Sequence, residues 1–293
     1  MTGGAASRRF PFVQFEFAFP LGPADGRYVT RAATGGDPER VVVLRTIGAP
    51  RRSRLTRGSA RRREGGAEPE PVPTARATVI RLDGFDSDAA ADAWLEDLAR
   101  DPDRLAAEAD TAAGELNALL RAHRAAAADP YVRDAVPAGA TAVRIGYGAG
   151  EEVADGRFSA ARELPPPSPR SRARRRAEAL VPDERLASIL ARREDVMACE
   201  ELVLRARADL DAGRPREAAL QARIALEAAL AELGAGDAGA GLAEARDAVA
   251  RAANEALGGD PSVQLQEDVE AAVTAIEAAI RRRRIGRGRA GNE

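Results

Sequence analysis

The sequence lacks several residue types on which common chemistries depend. Its 293 residues include one His, one Cys and no Lys, so all 44 basic side chains are Arg. Without Lys, the chain cannot supply the lysine of a P-loop or form a lysine Schiff base. A single His and a single Cys cannot build an intrachain Cys/His zinc site, a disulfide or a Cys-x-x-Cys redox pair.

Aromatic residues and long apolar runs are also scarce. Aromatic residues make up 4% of the chain against 45% for all hydrophobic residues, so Ala, Val and Leu must fill much of any core. Ala favours helices because it loses no side-chain entropy on entering one. Since no apolar run approaches the roughly 18 residues of a membrane-spanning helix, we expect no membrane segment. The single Cys agrees with a cytoplasmic protein.

Period-two patterns and turn residues predict a sheet in the first half of the chain. Residues 12–19 alternate apolar and polar positions and carry four Phe, which is typical of a strand buried on one face. Further strands are predicted over 28–31, 40–47, 75–82, 141–147 and 157–164. One helix is predicted after Asp86 or Ser87, and a second from Asp101-Pro102 to about 129–130. The glycine run Gly146–Gly150 is interpreted as a strand end and loop.

These elements predict an α+β fold in which a mixed or antiparallel sheet with two helices precedes an all-α helical bundle. The predicted organisation is a disordered lead at 1–9, an α+β domain at 10–164 and a helical bundle at 178–284. A Pro/Arg linker at 165–177 joins the domains, a mobile Arg/Pro-rich insertion occupies about 49–73, and a flexible basic tail covers 285–293. The last helix follows Asp260-Pro261 and places five aliphatic residues on one face: Leu265, Val269, Val273, Ile276 and Ile280.

The charges are segregated along the chain although the formal net charge is only -2. Residues 194–280 hold 18 acidic and seven basic residues, whereas Arg runs occupy 51–63, 170–176 and 281–289. Such runs could neutralise the phosphates of a nucleic acid, although no aromatic residue lies within them for base stacking. The alternative, which we favour, is that they are solvated linkers and a tail that rests against the acidic bundle. The candidate nucleic-acid contacts are Arg61, Arg62, Arg63, Arg174, Arg175, Arg176, Arg281, Arg282, Arg283 and Arg284.

Three carboxylates after a predicted strand form the one candidate metal site. Asp83, Asp86 and Asp88 offer the oxygen ligands that Mg²⁺ or Ca²⁺ prefers. Acidic residues before a helix also cap it and complement its dipole, and this is the interpretation we favour. We assign no catalytic or cofactor-binding residue and expect no cofactor.

His123 and Cys199 are the remaining candidates for proton transfer or nucleophilic chemistry. His123 falls at helical spacing from three Leu residues, which favours a partly buried structural role over that of a general base. Cys199 has Glu200 and Glu201 beside it, and their negative charges oppose formation of a thiolate. We therefore expect a buried thiol.

The segment Gly213-Arg-Pro-Arg-Glu217, with the helix after it, resembles the turn and second helix of a tetratricopeptide repeat. The surrounding hairpin, about residues 194–233, also resembles the HEPN family of helical bundles, some of which cleave RNA. Those nucleases use an Arg followed by a His, and residues 178–293 contain no His. The resemblance therefore implies a helical hairpin without that active site.

The leading functional hypothesis is a non-enzymatic protein whose helical bundle binds a protein partner or self-associates. It is motivated by the missing catalytic residue types and by an Ala/Leu-rich hairpin suited to helix–helix contacts. The first alternative is a nucleic-acid-associated factor that uses the Arg runs. The second alternative is an enzyme with a carboxylate metal site near Asp83, Asp86 and Asp88.

Overall fold

In the computed structural model the chain divides into two compact units, residues 1–168 and 169–293. The structure describes residues 8–31, 36–48, 73–165, 183, 185–234 and 241–290, with backbone alone at 285–290. The predicted insertion lies outside these residues, apart from position 73, and so does the linker after 165. Most of the predicted disordered lead lies outside them too, but Arg9 already belongs to a strand.

The first unit contains a six-stranded antiparallel sheet, so the α+β prediction is confirmed. Its strands are β1 (Arg9–Phe17), β2 (Gly26–Thr30), β3 (Arg40–Ile47), β4 (Thr74–Arg81), β5 (Ala142–Ala149) and β6 (Ala160–Glu163). Their order is β2-β3-β4-β1-β5-β6, and each neighbouring pair is antiparallel. The aromatic strand β1 therefore lies in the interior of the sheet, where both of its edges are paired.

Two helices cover one face of this sheet. Ser87 caps α1 (Asp88–Arg100) and Asp101 caps α2 (Pro102–Ala127), each accepting a hydrogen bond from the first turn of its helix. Both helices pack on the side of β1 that carries Val13, Phe15 and Phe17. The predicted shared face of Val13, Phe15 and Phe17 is confirmed, but burial on one face alone is wrong, because Phe12 and Gln14 on the other face are also buried.

A third helix, α3 (Gly150–Ala154), lies on the opposite face. The predicted strand end at the glycine run is confirmed, because β5 extends to Ala149, but the predicted loop after it is wrong, because α3 begins at Gly150. Val153 and Ala154 of this single turn pack against Phe12 and its neighbours on the sheet. The glycine at position 146 is explained by strand pairing, since a Cβ there would collide with the backbone of β6. The glycine at 146 therefore allows β5 and β6 to pack closely against each other.

The second unit is a helical bundle of α4 (Ala198–Asp211), α5 (Pro215–Leu233), α6 (Arg246–Ala256) and α7 (Val263–Ala290). The five aliphatic residues predicted to share one face of the last helix are all buried. The α7 backbone stays helical to Ala290, whereas the sequence predicts a flexible tail from 285. Arg is a good helix former, so four successive Arg carry the helix beyond its apolar stripe.

The core of the bundle is built mainly from small residues. Most of the buried positions on α5 are Ala, and Ala also lines the facing sides of its neighbours. The fully buried Ala residues include Ala206, Ala218, Ala219, Ala222, Ala225, Ala229, Ala252, Ala256 and Ala279. Within the described part of the chain, no helix is long and apolar enough to cross a membrane.

Candidate interaction surface on the helical bundle

The three carboxylates of the candidate metal site are not brought together. Asp83 pairs with Arg81 at 3.2 Å, and Asp88 pairs with Arg9 at 2.6 Å. The hydrogen bond from Arg9 lowers the pKa of Asp88. Among the residues that the structure describes, no group of three or more His, Cys, Asp and Glu could hold a metal ion. Arginine thus engages two of the three carboxylates, and the cap of α1 is Ser87.

At least two of the four arginines at 281–284 bind groups of the bundle, in agreement with the interpretation of a tail that rests against the acidic bundle, and phosphate binding by this run stays a prediction. Arg283 donates a hydrogen bond to the carbonyl oxygen of Glu232. Arg284 pairs at 3.0 Å with Glu200, a buried carboxylate that also pairs with Arg185 at 2.6 Å. The candidates at 61–63 and 174–176 lie outside the described residues, and their role in binding stays a prediction.

Cys199 is buried, as expected, and its surroundings oppose thiolate chemistry. Burial, followed by a hydrogen bond with Glu232, raises the pKa of Cys199 to about 12. The Glu232 carboxylate also accepts hydrogen bonds from the backbone N–H groups of Ala198 (3.0 Å) and Cys199 (2.9 Å). A side chain of α5 thereby caps α4. Sequence reasoning missed this cap because its two partners are far apart in the chain.

A buried phenol in the first unit was also not anticipated from the sequence. Tyr147 on β5 donates a hydrogen bond to Asp92 on α1. That bond, together with burial, raises the pKa of Tyr147 to about 12, so the phenol stays protonated and holds the helix to the sheet. His123 is half-buried, and its ring lies beside the backbone of Gly22, as expected for a structural residue.

Large aliphatic side chains are exposed mainly on the second unit. Its described residues include eight of them, at positions Leu186, Leu190, Val196, Leu204, Leu220, Ile224, Leu257 and Val263. Scattered apolar residues are normal on a protein surface, whereas a contiguous line of them marks a contact site. Two of the eight, Leu220 and Ile224, stand one turn apart on the same helix.

These two residues belong to a line of exposed positions that we call the α5 stripe: Glu217, Leu220, Ile224, Glu227 and Ala231. The positions alternate in steps of three and four residues, so they run along one side of the helix. Leu220 is 38% exposed and Ile224 is 55% exposed. The opposite side of α5 is buried, which fixes the rotation of the helix and keeps the stripe at the surface.

Hydrogen bonds hold α6 along one border of the stripe. Arg216 donates to the carbonyl oxygen of Ala256 (2.9 Å), and Arg223 donates to the side chain of Asn254 (3.1 Å). The residue after Ala256 is Leu257, which is 71% exposed. The stripe therefore lies on a fixed helix pair, and Leu257 extends the apolar surface at the α6 border.

The charged residues on the stripe and beside it differ in their partners. Glu227 binds Arg246 of α6 through both carboxylate oxygens, at 2.8 and 2.6 Å. This bond, with help from the charge of Arg223, lowers the pKa of Glu227 and keeps it ionised at neutral pH. Arg216 and Arg223 instead bind neutral oxygens, so their positive charges remain at the surface of the α6 border.

A cleft of about 280 Å³ lies where the turn between α4 and α5 meets the start of α7. Its walls combine apolar side chains such as Leu210 and Val263 with the carboxylates of Asp211, Glu267 and Glu270. Arg214 also lines the cleft, so it carries charges of both signs. Its lining residues include no nucleophile paired with a base.

Comparisons with protein-family models, with curated protein sequences and with solved structures give no match. Helices α4 and α5 do follow each other as the hairpin that the tetratricopeptide-repeat and HEPN resemblances imply. The surface chemistry of the bundle is therefore what bears on the function of this protein.

Proposed function

We propose that this protein is a non-enzymatic interaction protein and that its helical bundle binds a protein partner through the α5 stripe. The observation that carries the proposal is the arrangement of α5, where Ala faces the core while Leu220 and Ile224 face solvent. Helix–helix recognition uses this spacing, because an apolar line at steps of three and four accepts a partner helix. The buried thiol of Cys199 suits a reducing compartment, so we place the protein in the cytoplasm.

The exposed aliphatic residues can supply a useful binding energy. Burying one large aliphatic side chain is favourable by about 1.5–3 kcal/mol relative to leaving it exposed. Leu220, Ile224 and Leu257 together would then contribute several kcal/mol, from which the cost of ordering the partner must be subtracted. The surface thus suits a reversible contact with a partner of moderate affinity.

An affinity pull-down of the full chain from native-host lysate tests this proposal. The wild type is compared with the double variant Leu220→Ser/Ile224→Ser and with Leu204→Ser, a matched loss of an exposed Leu on α4. We expect a protein partner that survives nuclease treatment, is retained by Leu204→Ser and is lost from the double variant. Equal retention by all three proteins would refute the α5 stripe as the binding surface. Loss of the captured material on nuclease treatment would instead favour the nucleic-acid hypothesis.

A further inference from the structure

The charges beside the α5 stripe indicate the chemistry of the partner. We propose that the segment bound there is an amphipathic helix of a different protein, with an apolar line and a row of carboxylates along one edge. This inference rests on the proposed function and adds the partner's charge pattern to it. The apolar line would cover Leu220 and Ile224, and the carboxylates would face Arg216 and Arg223.

The two arginines form a basic edge, which we define as Arg216 and Arg223. They are seven residues apart, so they lie two turns from each other on the α6 side of the stripe. Both are exposed, and their hydrogen bonds go to a backbone carbonyl and a side-chain amide, which carry no net charge. Glu255, which lies between Asn254 and Ala256, accepts a hydrogen bond from the Ser262 backbone instead (3.1 Å).

The remaining charges near the stripe are already balanced or stand at its end. Glu227 is occupied by Arg246 through two hydrogen bonds. Glu217 lies at the start of the stripe, one turn before Leu220. A partner helix therefore meets an apolar centre with a positive border along one side. Arg is enriched at protein interfaces because its planar guanidinium binds carboxylates through two hydrogen bonds.

A second copy of this chain does not fit the same surface. In an antiparallel pair of stripes, Glu217 meets Glu227 of the other copy, which Arg246 already binds through both carboxylate oxygens. In either orientation the second copy adds its own Arg216 and Arg223 to the contact and offers them Glu217 but no row of carboxylates. Like charges at an interface are repulsive. Charge complementarity thus favours a different protein over self-association.

A nucleic acid also carries negative charge, but the surroundings disfavour it. A phosphate backbone would leave Leu220, Ile224 and Leu257 without an apolar contact. An amphipathic helix with carboxylates along one edge can contact both the apolar residues of the stripe and the basic edge.

The experiment uses two labelled synthetic helical peptides of about 18 residues, or five turns. Both carry the same Leu line; one has Glu along the edge that faces Arg216 and Arg223, and the other has Arg there. Binding to the full chain is measured by fluorescence anisotropy at low and high salt. The proteins are wild type, Leu220→Ser/Ile224→Ser and Arg216→Glu/Arg223→Glu. All the substituted side chains are exposed, so each variant should fold, and circular dichroism checks this.

We expect the Glu-edged peptide to bind wild type about tenfold or more tighter than the Arg-edged peptide, with a smaller ratio at high salt. The Arg-to-Glu variant should reverse the preference, and the Leu220/Ile224 variant should bind neither peptide. Equal affinities, a preference for the Arg-edged peptide or no binding of the Glu-edged peptide would overturn the inference. Displacement of the bound peptide by a single-stranded RNA oligomer would overturn it in favour of a nucleic acid. If the pull-down still shows a stripe-dependent partner, the proposed function survives such a failure.

Discussion

The two units differ in how much of their cores large side chains fill. In the sheet unit the largest residues of the central strand, Phe12, Phe15 and Phe17, are almost fully buried. In the bundle, five of the seven buried positions on α5 are Ala, the other two being Leu226 and Leu233, while Leu220 and Ile224 stay exposed. The comparison shows that position on the helix, and not side-chain size, separates the buried from the exposed residues of α5.

Small residues in a bundle core let helix backbones approach closely, as Ala does on the buried side of α5. The core between the helices still holds larger residues such as Leu226, Leu242 and Ile276, so small and aliphatic side chains share it. Leu220 and Ile224 face outward instead, where they contribute little to the stability of the isolated chain. They become useful when a partner covers them.

Truncating the aromatic core should have the largest effect on stability. We expect Phe15→Ala to lower the free energy of unfolding of the sheet unit by about 3–5 kcal/mol, because it leaves a cavity at a fully buried site. Urea unfolding followed by the fluorescence of Trp94, the single Trp of the chain, reports on this unit. Phe158→Ala, at a residue 40% exposed, is the matched control and should cost much less. Similar losses for both variants would contradict an aromatic core centred on β1.

Replacing a small buried side chain of the bundle by a larger one should have the second-largest effect on stability. Ala222→Leu places a larger side chain at a fully buried position of α5, and overpacking of this kind costs about 1–3 kcal/mol. The control is Ala231→Leu, which adds the same side chain to the exposed stripe of the same helix. Thermal unfolding followed by circular dichroism compares the two variants. A stabilising effect of Ala222→Leu would show that the core has room for large residues.

The cap that links α5 to α4 should make stability depend on pH. Burial opposes ionisation of Glu232, but hydrogen bonds from Cys199 and Ala198 outweigh it and lower the pKa of Glu232. Ionised Glu232 therefore contributes stability at neutral pH, and the contribution is lost as the pH falls below the ordinary Glu value of 4.5. Glu232→Gln should cost about 1 kcal/mol at pH 7, in the range of other caps.

The difference between wild type and Glu232→Gln should shrink as the pH is lowered through the acidic range, which urea unfolding at several pH values can follow. Glu201→Gln removes an exposed carboxylate from α4 and serves as the control. A gap that grows toward acidic pH would contradict the stabilising role of the ionised carboxylate.

The sequence predicts the elements of both units well where periodicity is strong. The strand at 40–47 follows from its run of β-branched residues, and the buried line of α7 follows from apolar residues spaced three to four apart. The helix at Gly150–Ala154 is missed, because a single turn is too short to show a period. The glycine at 146 is needed for strand packing that only the folded chain shows.

The α5 stripe is missed for a different reason. Between 213 and 233 Ala and Leu occur on every side of the helix, so hydropathy alone does not separate a small buried side chain from a large exposed one. A contact of the basic tail with the acidic bundle is predicted, but the individual partners of Arg283 and Arg284 are not, since Glu232 and Glu200 lie more than 50 residues away. Charge runs reveal composition, whereas pairing depends on tertiary contacts.

The variant with the smallest expected effect on stability, Leu220→Ser/Ile224→Ser, is the most direct test of the exposed stripe. Leu220→Ser/Ile224→Ser should change the free energy of unfolding by no more than about 0.5 kcal/mol, the usual range for surface substitutions. The same variant should lose the protein partner that wild type and Leu204→Ser retain after nuclease treatment. A variant that unfolds easily would show that the two residues belong to the core. A stable variant that keeps the partner would show that the partner binds elsewhere.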